Sequence, residues 1–496
     1  MQISKDNTKK SGFFLLVLSI SLATFMSSLD GTIVNIALPT ISESFEVSTS
    51  SVSWVSTSYL LVMAGCLLIF GKVSDAIGFK RVFISGFIVF TLGSFACGFV
   101  PDFLDSFYSL VGFRAFQGVG GAMITAIGPA MIVALIPMEQ KGKAMGIVMT
   151  FAALGMALGP TIGGILTQYL SWHWIFYINV PVGIFAVILG SRVIPHMESK
   201  GDLSGFDKYG AALIFGGLGS LLFCISEGPV FGWSSPVILG SAALSVLLLG
   251  GFAFYELRHK DPLLELRLFW KRNFLLTNLV IALVFFSFGG INYLLPFYLE
   301  YVLGYDTSTA GLILTTLSFS MMIAGIVAGL LFNRAGGRIL CMAAAFVIAA
   351  GYYMMSHLHS DSSLVFVSVC LILIGFGIGL MITPIFNMVM NSVSKKYQGM
   401  VSSLTSLERL APMSVGIVVY NLIFVSGVGY ISKHKGITET APAFIKTDVL
   451  AAGFDLAFFA AMIVGIIVLI ITIFAREEIH PDYLEKSDDE VIATGL

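Results

Sequence analysis

Fourteen long apolar runs divide this chain of 496 residues and leave few folds open to it. A helix needs about 20 apolar residues to cross a bilayer, and each run is near that length. Hydrophobic residues make up 57% of the chain and charged residues only 11%, against about 25% charged in an ordinary globular chain. We therefore expect an all-α polytopic membrane protein whose solvent is largely lipid. The runs lie at 13–38, 51–71, 82–101, 105–132, 144–167, 173–194, 207–227, 236–256, 273–300, 309–333, 338–357, 363–391, 398–427 and 450–475.

Charge and residue usage argue against several other classes. The formal net charge is −2 and no basic region is present, so we expect no nucleic-acid partner. The five cysteines lie in apolar stretches without paired spacing, which predicts neither disulfides nor a metal site. The chain has no Walker lysine motif and no convincing dinucleotide loop. We expect no cofactor, and a protein that is not an enzyme.

The basic residues predict the orientation of the spans. With fourteen crossings, both termini lie on one side. Of the 27 Lys and Arg residues, 22 fall on that side. Arg114 and Arg409 lie inside spans, and Lys433, Lys435 and Lys446 lie on the other side. Since basic residues concentrate in cytoplasmic loops, we predict a multi-pass protein of the plasma membrane with both termini in the cytoplasm.

Two loops repeat a pattern and predict two similarly oriented halves. The stretch from Gly71 to Arg81 and the stretch from Gly329 to Arg338 share a glycine, an Asp or Asn four residues on, another glycine and a basic residue. Parallel repeats of this kind are a known transporter plan. The predicted division is an N-terminal six-helix half at 1–200, two inserted helices with a cytoplasmic linker at 201–272, a C-terminal six-helix half at 273–475, and a cytoplasmic tail at 476–496.

Several stretches resemble the major facilitator superfamily and, within it, the fourteen-span drug:proton antiporters of the EmrB/QacA type. The loop Gly71 to Arg81 resembles the superfamily's loop motif. The resemblance implies a major facilitator fold with fourteen transmembrane helices, two six-helix halves plus two inserted helices. The narrower resemblance lies in four stretches: Leu29 to Pro39, Arg114 to Ala122, Gly155 to Gly164, and Trp172 to Pro181, where His173 stands at a position that is usually arginine.

An acid and an arginine inside spans are the candidates for proton coupling. Asp30 lies in span 1, where an isolated carboxylate costs about 3 kcal/mol and the neutral form is favoured. Arg114 lies in span 4 and cannot lose its proton, so it needs an anion, carbonyls or water. We expect Arg114 to pair with Asp30 or to interact with an unprotonated state of the carrier. The alternative for Asp30 is a carboxylate that caps a helix or bonds a neighbouring hydroxyl, and the alternative for Arg114 is a permanent polar tie between helices.

Candidate substrate contacts lie in three spans. Glu408 and Arg409 are adjacent in span 13, and their side chains point about 100° apart. The resemblance favours Glu408 as a contact for a cationic substrate, because some multidrug members carry an acid in this span; it could instead snorkel or pair with another helix. Gln117 in span 4, and Asn292 and Tyr293 in span 9, complete the predicted set.

Glycines and loop charges are the candidates for gating. Gly155, Gly159 and Gly163 recur every four residues around Pro160, which lets helices approach closely and bend. The resemblance implies a rocking seam, and ordinary tight packing is nearly the same physics. In the first loop, the family's conformational latch would use five residues: Gly71, Asp75, Gly78, Lys80 and Arg81.

These observations predict a secondary transporter that exports hydrophobic or cationic drug-like compounds in exchange for protons, by alternating access. Its partners would be the lipid bilayer, protons and a small-molecule substrate, and its oligomeric state stays open. One alternative is the same fold exporting or importing a specific metabolite, such as an amino acid, a siderophore or a lipid-like molecule. Another is a non-transporting receptor or channel, which leaves the repeated loop unexplained.

Overall fold

The structure, a computed structural model, describes residues 2–195, 207–259, 264–394, 397–435 and 443–481, and most of these residues are helical. A 3-10 helix, Leu266–Trp270, precedes α10, and a π-helical turn, Tyr298–Val302, follows it. The α-helices are α1 Gln2–Ser44, α2 Thr49–Ile77, α3 Phe79–Leu104, α4 Phe107–Leu135, α5 Met138–Tyr169, α6 Trp174–Tyr177, α7 Asn179–Val193, α8 Lys208–Phe231, α9 Pro236–Glu256, α10 Arg272–Phe297, α11 Thr307–Ala335, α12 Gly337–Met355, α13 Leu364–Asn391, α14 Gln398–Lys435 and α15 Ala443–Phe474.

Fourteen membrane spans are present in the described residues, which confirms the predicted count. The boundaries moved by several residues, and two spans are less regular than the sequence indicates. The sixth span is broken at Ile178 into α6 and α7, and the ninth ends in the π-helical turn after α10. Within 201–272, the predicted region of the two inserted helices and the linker, residues 201–206 and 260–263 lie outside the described part. Residues 482–496, which make up most of the predicted tail, also lie outside it.

Short polar and glycine segments end the helices. Gly78 adopts φ 93°, and its N–H donates to the carbonyl of Ser74 at 2.9 Å, which separates α2 from α3. A residue with a side chain would be strained at that φ, whereas glycine adopts it readily. Asp306 caps α11 by accepting hydrogen bonds from the Thr309 hydroxyl at 2.6 Å and the Thr309 N–H at 3.3 Å. These hydrogen bonds hold the pKa of Asp306 below its usual value.

The first compact unit comprises Met1–Leu249 and Leu295–Thr315. In it α1 packs on α5 and α7, α3 packs on α4 and α7, and α2 packs on α4. The end of α10 and the start of α11 belong to this unit. The Tyr301 hydroxyl reaches the carbonyl of Pro39 at 3.4 Å, and the hydroxyls of Thr161 and Thr315 lie 2.6 Å apart.

The inserted helix α8 attaches to α2 within the first unit. Trp54 donates its indole N–H to Glu227 Oε1 at 2.9 Å. A Cβ placed on Gly65 would overlap the ring of Phe215, so these helices approach closely at that point. The contact gives the first of the two additional spans a defined place beside α2.

The second compact unit comprises Gly250–Leu294 and Thr316–Leu496, in which α12 packs on α13 and α15, and α14 packs on α15. The short segment after α15 crosses the ends of three of its helices. Glu477 Oε2 accepts a hydrogen bond from the N–H of Gly337 at 3.0 Å, at the start of α12. The N–H of His480 donates to the Asn391 carbonyl at 2.8 Å. The N–H of Arg476 donates a hydrogen bond to Asn273 Oδ1 at 3.4 Å, at the start of α10.

Candidate functional site

Asp30 lies near the middle of the first span and is completely buried. It is not isolated, because Arg114 Nη1 lies 2.8 Å from its Oδ2 atom. Arg114 is 1% exposed, so the pair is shielded from both lipid and water. The structure therefore brings together the two residues predicted for proton coupling, in the first of the arrangements anticipated for them.

Two amide side chains complete the coordination of the Asp30 carboxylate. Gln117 donates from Nε2 to Asp30 Oδ1 at 2.9 Å, and Asn179 donates from Nδ2 to the same oxygen at 3.0 Å. Both amides also donate to the Ser94 hydroxyl, at 2.9 Å and 3.0 Å. Side chains from α4 and α7 thus contact the carboxylate on α1, and Ser94 on α3 joins the two amides, in a network whose members are at most 1% exposed.

The guanidinium of Arg114 is also satisfied on its other sides. Its Nη1 donates to Gln117 Oε1 at 2.6 Å, and its Nε donates to the carbonyl of Val55 at 3.1 Å. The ring of Tyr59 lies 4.2 Å from the guanidinium carbon, and the ring of Phe176 lies 5.6 Å away. A cation is favoured over aromatic faces at such distances.

The predicted glycine stripe on α5 faces α1, directly beside the Asp30 segment. A Cβ on Gly155 would lie 2.6 Å from the carbonyl oxygen of Phe25, and one on Gly163 would lie 2.7 Å from that of Ile33. At Gly159 the added atom would overlap the hydroxyl of Thr32. The absence of side chains lets the two helices approach to backbone contact. A movement along this seam would therefore act directly on the helix that carries Asp30.

Pro160 and the first loop motif are placed as follows. The Pro160 carbonyl lies against Gly311, where a Cβ would overlap it.

Lys80 donates from Nζ to the carbonyl of Ser191 at 2.7 Å, which ties the start of α3 to the end of α7. Arg81 is exposed, and Gly71 has open space around its Cα. The side chain of Asp75 lies outside the described residues. The latch stays a prediction.

The candidates in the second half separate into two groups. Asn292 is 8% exposed and Tyr293 is fully buried, and the contact of either residue with substrate stays a prediction. Glu408 has an Oε2 atom that is buried without a hydrogen-bond partner. Arg409, the next residue, is exposed and lies with its guanidinium carbon 5.5 Å from the ring of Phe285. Their side chains diverge, as expected for adjacent helical residues.

Sequence reasoning did not assign Ser94 or Asn179 to the site. Asn179 was part of a motif that resembles the family, but nothing in its spacing indicated a contact with Asp30. Ser94 carries no pattern of its own, since serine is common in packed membrane helices. Gln117, predicted as a substrate contact, belongs to the buried Asp30 network in this structure, and its contact with substrate stays a prediction.

Comparison with known proteins supplies the family. The sequence profile described as Major Facilitator Superfamily matches residues 20–417. The chain belongs to the Major Facilitator Superfamily. A chain of this superfamily with fourteen spans is a multi-span membrane transporter rather than an enzyme, and it carries a small-molecule substrate.

Relatives of this transporter include multidrug transporters, which is consistent with the resemblance of its motifs, and a riboflavin transporter. It is 32% identical over 437 residues to the multidrug transporter protein MdtP of Bacillus subtilis, covering 88% of this chain and 79% of the relative. It is 34% identical over 411 residues to the multidrug resistance protein Stp of Mycobacterium tuberculosis, covering 82% and 74%. A riboflavin transporter, RibZ of Clostridioides difficile, is 31% identical over 426 residues, covering 86% and 91%.

Solved structures agree with the fold of this superfamily. A bacterial homolog of the human lysosomal transporter Spinster, in an inward-facing and occupied conformation, has a TM-score of 0.65. That alignment covers 92% of this chain and 96% of the other, at 14% sequence identity. The similarity at this identity concerns the fold alone, and it confirms the predicted major facilitator architecture.

Proposed function

We propose that this transporter exports hydrophobic or cationic drug-like compounds across the plasma membrane in exchange for protons, by alternating access. Both termini lie in the cytoplasm in this proposal, as the distribution of basic residues predicts. This proposal rests mainly on the buried ion pair of Asp30 and Arg114, since ionisable groups inside membranes mark ion and substrate pathways. The multidrug names of two relatives, MdtP and Stp, support the substrate class.

Asp30 would exchange the proton, and Arg114 would set when it can do so. While the guanidinium lies 2.8 Å from the carboxylate, the ionised carboxylate is compensated. When α1 and α5 shift along their glycine seam, the pair separates, and a carboxyl without a counter-ion in a dry environment takes up a proton. Return of the guanidinium would expel that proton. A carrier that performs this cycle couples proton entry to conformational change.

The experiment uses everted membrane vesicles with a preformed proton gradient, monitored by a pH-sensitive dye. Addition of a cationic amphipath to vesicles with the wild-type protein should dissipate the gradient, and Asp30→Asn should abolish that response. Substrate counterflow without a gradient should persist in Asp30→Asn if the variant still alternates. Asp306→Asn is the matched control, because it removes a carboxylate far from the network while asparagine still caps the helix. Unchanged gradient coupling in Asp30→Asn would remove Asp30 from the mechanism.

A second candidate is transport of one specific metabolite by the same fold. The observation that favours it is the similarity to the riboflavin transporter RibZ, of which the alignment covers 91%. Resistance profiles of cells that lack or overproduce the protein separate the two functions. A multidrug exporter changes sensitivity to several unrelated compounds, whereas a metabolite carrier changes growth requirements without a broad resistance profile.

A further inference from the structure

From the surroundings of Arg409 we infer a binding site for an oxyanion, in particular the carboxylate of an aromatic substrate. The inference rests on the proposed function, because it assigns a chemical group to the compound that the transporter carries. It goes further in that it extends the substrate class from hydrophobic cations to aromatic compounds that also carry a negative group.

Arg409 lies on the face of α14 that meets α10. The stripe Arg409, Met413, Gly416 and Tyr420 follows the three- and four-residue spacing of one helix face. Its later members touch α10 directly. A Cβ on Gly416 would overlap the carbonyl of Phe286, and the Tyr420 hydroxyl lies 3.0 Å from that of Ser287. A side chain on this stripe points toward protein and not toward lipid.

Arg409 is nevertheless exposed, so an open space lies beside it. Its one recorded contact in the described residues is the Phe285 ring at 5.5 Å, with no hydrogen bond or ion pair to another described group. Glu408 forms no ion pair with Arg409 in the described residues, and its Oε2 atom is buried without a hydrogen-bond partner. Arginine presents five N–H donors and stays charged. Within a membrane span, such a group requires an anion or water.

The other intramembrane arginine shows what a structural role looks like in this fold. Arg114 is 1% exposed, and it contacts one carboxylate, one amide and one backbone carbonyl. Arg409 has none of these partners among the described residues and faces open space. A permanent tie between helices would place its donors on protein acceptors, as at Arg114. The open guanidinium of Arg409 is instead suited to a partner that enters and leaves.

The shape of the site indicates the kind of anion. A planar guanidinium binds a carboxylate through two parallel hydrogen bonds, which fixes its orientation. Phe285 covers one side of the guanidinium and also packs edge-on against Phe288, with ring centroids 6.4 Å apart. Aromatic rings beside the cation favour a flat, aromatic compound. A carboxylate on an aromatic scaffold satisfies the donors and the apolar surface together.

The test uses two dyes that differ only in the anionic group: a cationic rhodamine ester and the same rhodamine with a free carboxylate. Purified protein is reconstituted into liposomes with an imposed pH gradient, and binding to protein in detergent is measured by fluorescence anisotropy. We expect Arg409→Met to weaken binding and transport of the free-carboxylate dye at least tenfold and to change those of the ester less than twofold. Arg409→Lys should give an intermediate loss, because lysine keeps the charge without the planar geometry.

Arg258→Met is the matched control, since Arg258 is also an exposed arginine beside a phenylalanine ring, Phe254 at 4.1 Å, but belongs to no predicted site. It should spare binding of the free-carboxylate dye. Equal losses for both dyes in Arg409→Met, or a wild-type protein that binds only the ester, would overturn the anion site while leaving cation export in place. A wild-type protein that transports neither dye contradicts the proposed function. Tenfold weaker carboxylate binding in Arg409→Met would still support the site in that case.

Discussion

Arg114 and Asp30 form an ion pair at 2.8 Å in which neither side chain is more than 1% exposed. Charges in such a place compensate each other only while they stay together. Either one left alone would be a buried charge without a partner, which is strongly unfavourable. In the proposed cycle, the pair would have two distinct electrostatic states, ionised and paired or protonated and separated. A proton-coupled carrier needs two such states if binding of a proton is to change the conformation of the protein.

The first prediction concerns the mutual dependence of these two residues. Asp30→Asn leaves the guanidinium of Arg114 without a counter-charge, and breaking a buried pair costs about 3–5 kcal/mol. Arg114→Gln should be similarly damaging, because the carboxylate then lacks its cation. The double variant should be more stable than the sum of the two losses implies, since no uncompensated charge remains. Thermal unfolding of the four purified proteins in detergent measures this coupling.

Losses that add within about 0.5 kcal/mol would mean that the two residues act independently. Asp306→Asn serves as the control for removal of a carboxylate, because Asp306 lies outside this network and remains a helix cap when changed to asparagine. It should unfold close to the wild-type temperature. A pronounced loss in that variant would show that removal of a carboxylate destabilises this protein wherever it occurs.

Much of the fold could be predicted from the sequence, because lipid imposes a simple rule. Each crossing must satisfy its backbone within a helix, so the apolar runs reveal the count. The two charged members of the site, Asp30 and Arg114, were also visible, since charges in apolar runs stand out. Ser94 and Asn179 were not, because small polar residues are common in such helices. Which face of α3 meets α4 and α7 depends on packing that no single run records.

The second prediction concerns the close contact between α5 and α1. Gly159→Ala would place a methyl group against the Thr32 hydroxyl and 3.2 Å from the amide nitrogen of Ile33. Overpacking of this kind costs about 1–3 kcal/mol, and the helices would have to separate. We expect a lower unfolding temperature and slower transport. Thr32→Ala in the same protein should restore part of both, because it removes the atom that the new methyl group meets.

Gly146→Ala provides the comparison within the same helix. Nothing lies within 4 Å of a Cβ at Gly146, and alanine favours a helix over glycine by about 1 kcal/mol. This variant should therefore be as stable as wild type or slightly more so. If Gly146→Ala and Gly159→Ala behaved alike, the effect would reflect helix propensity and not the seam.

The third prediction concerns the attachment of the inserted helix α8. Trp54 donates to Glu227 at 2.9 Å, and a hydrogen bond to a charged group contributes about 1.5–3 kcal/mol. Glu227→Leu removes the acceptor and should destabilise the protein, whereas Glu227→Gln keeps an acceptor oxygen and should have a much smaller effect. Thermal unfolding of both variants in detergent distinguishes these outcomes.

Trp54→Phe should remove the same interaction from the other side. Combined with Glu227→Leu, it should add little further loss, because the hydrogen bond can be lost only once. A fully additive double variant would show that each residue stabilises the protein through other contacts. The dye transport assay on these variants then reports whether a firmly attached α8 matters for transport.

The loop from Gly329 to Arg338 has a neighbour that its similarity to the first loop does not predict. Asn333 stands where the first copy has Asp75, which predicts a weaker second latch. In the folded chain an acid nevertheless lies beside the start of α12, supplied by Glu477 from the segment after α15. Glu477 lies 140 residues after Gly337, so comparison of the two loops could not reveal this contact.

The fourth prediction tests that acid. Glu477 Oε2 accepts the N–H of Gly337 at 3.0 Å, and a carboxylate there also meets the positive end of the α12 dipole. Glu477→Ala should therefore destabilise the second unit by about 1 kcal/mol, the usual cost of losing a helix cap. Glu478→Ala is the matched control: this neighbouring glutamate is exposed and has no recorded contact in the described residues. Hydrogen exchange at the first turn of α12, followed by mass spectrometry, should increase in Glu477→Ala alone. Equal exchange in both variants would mean that the cap contributes nothing to holding this end of the helix.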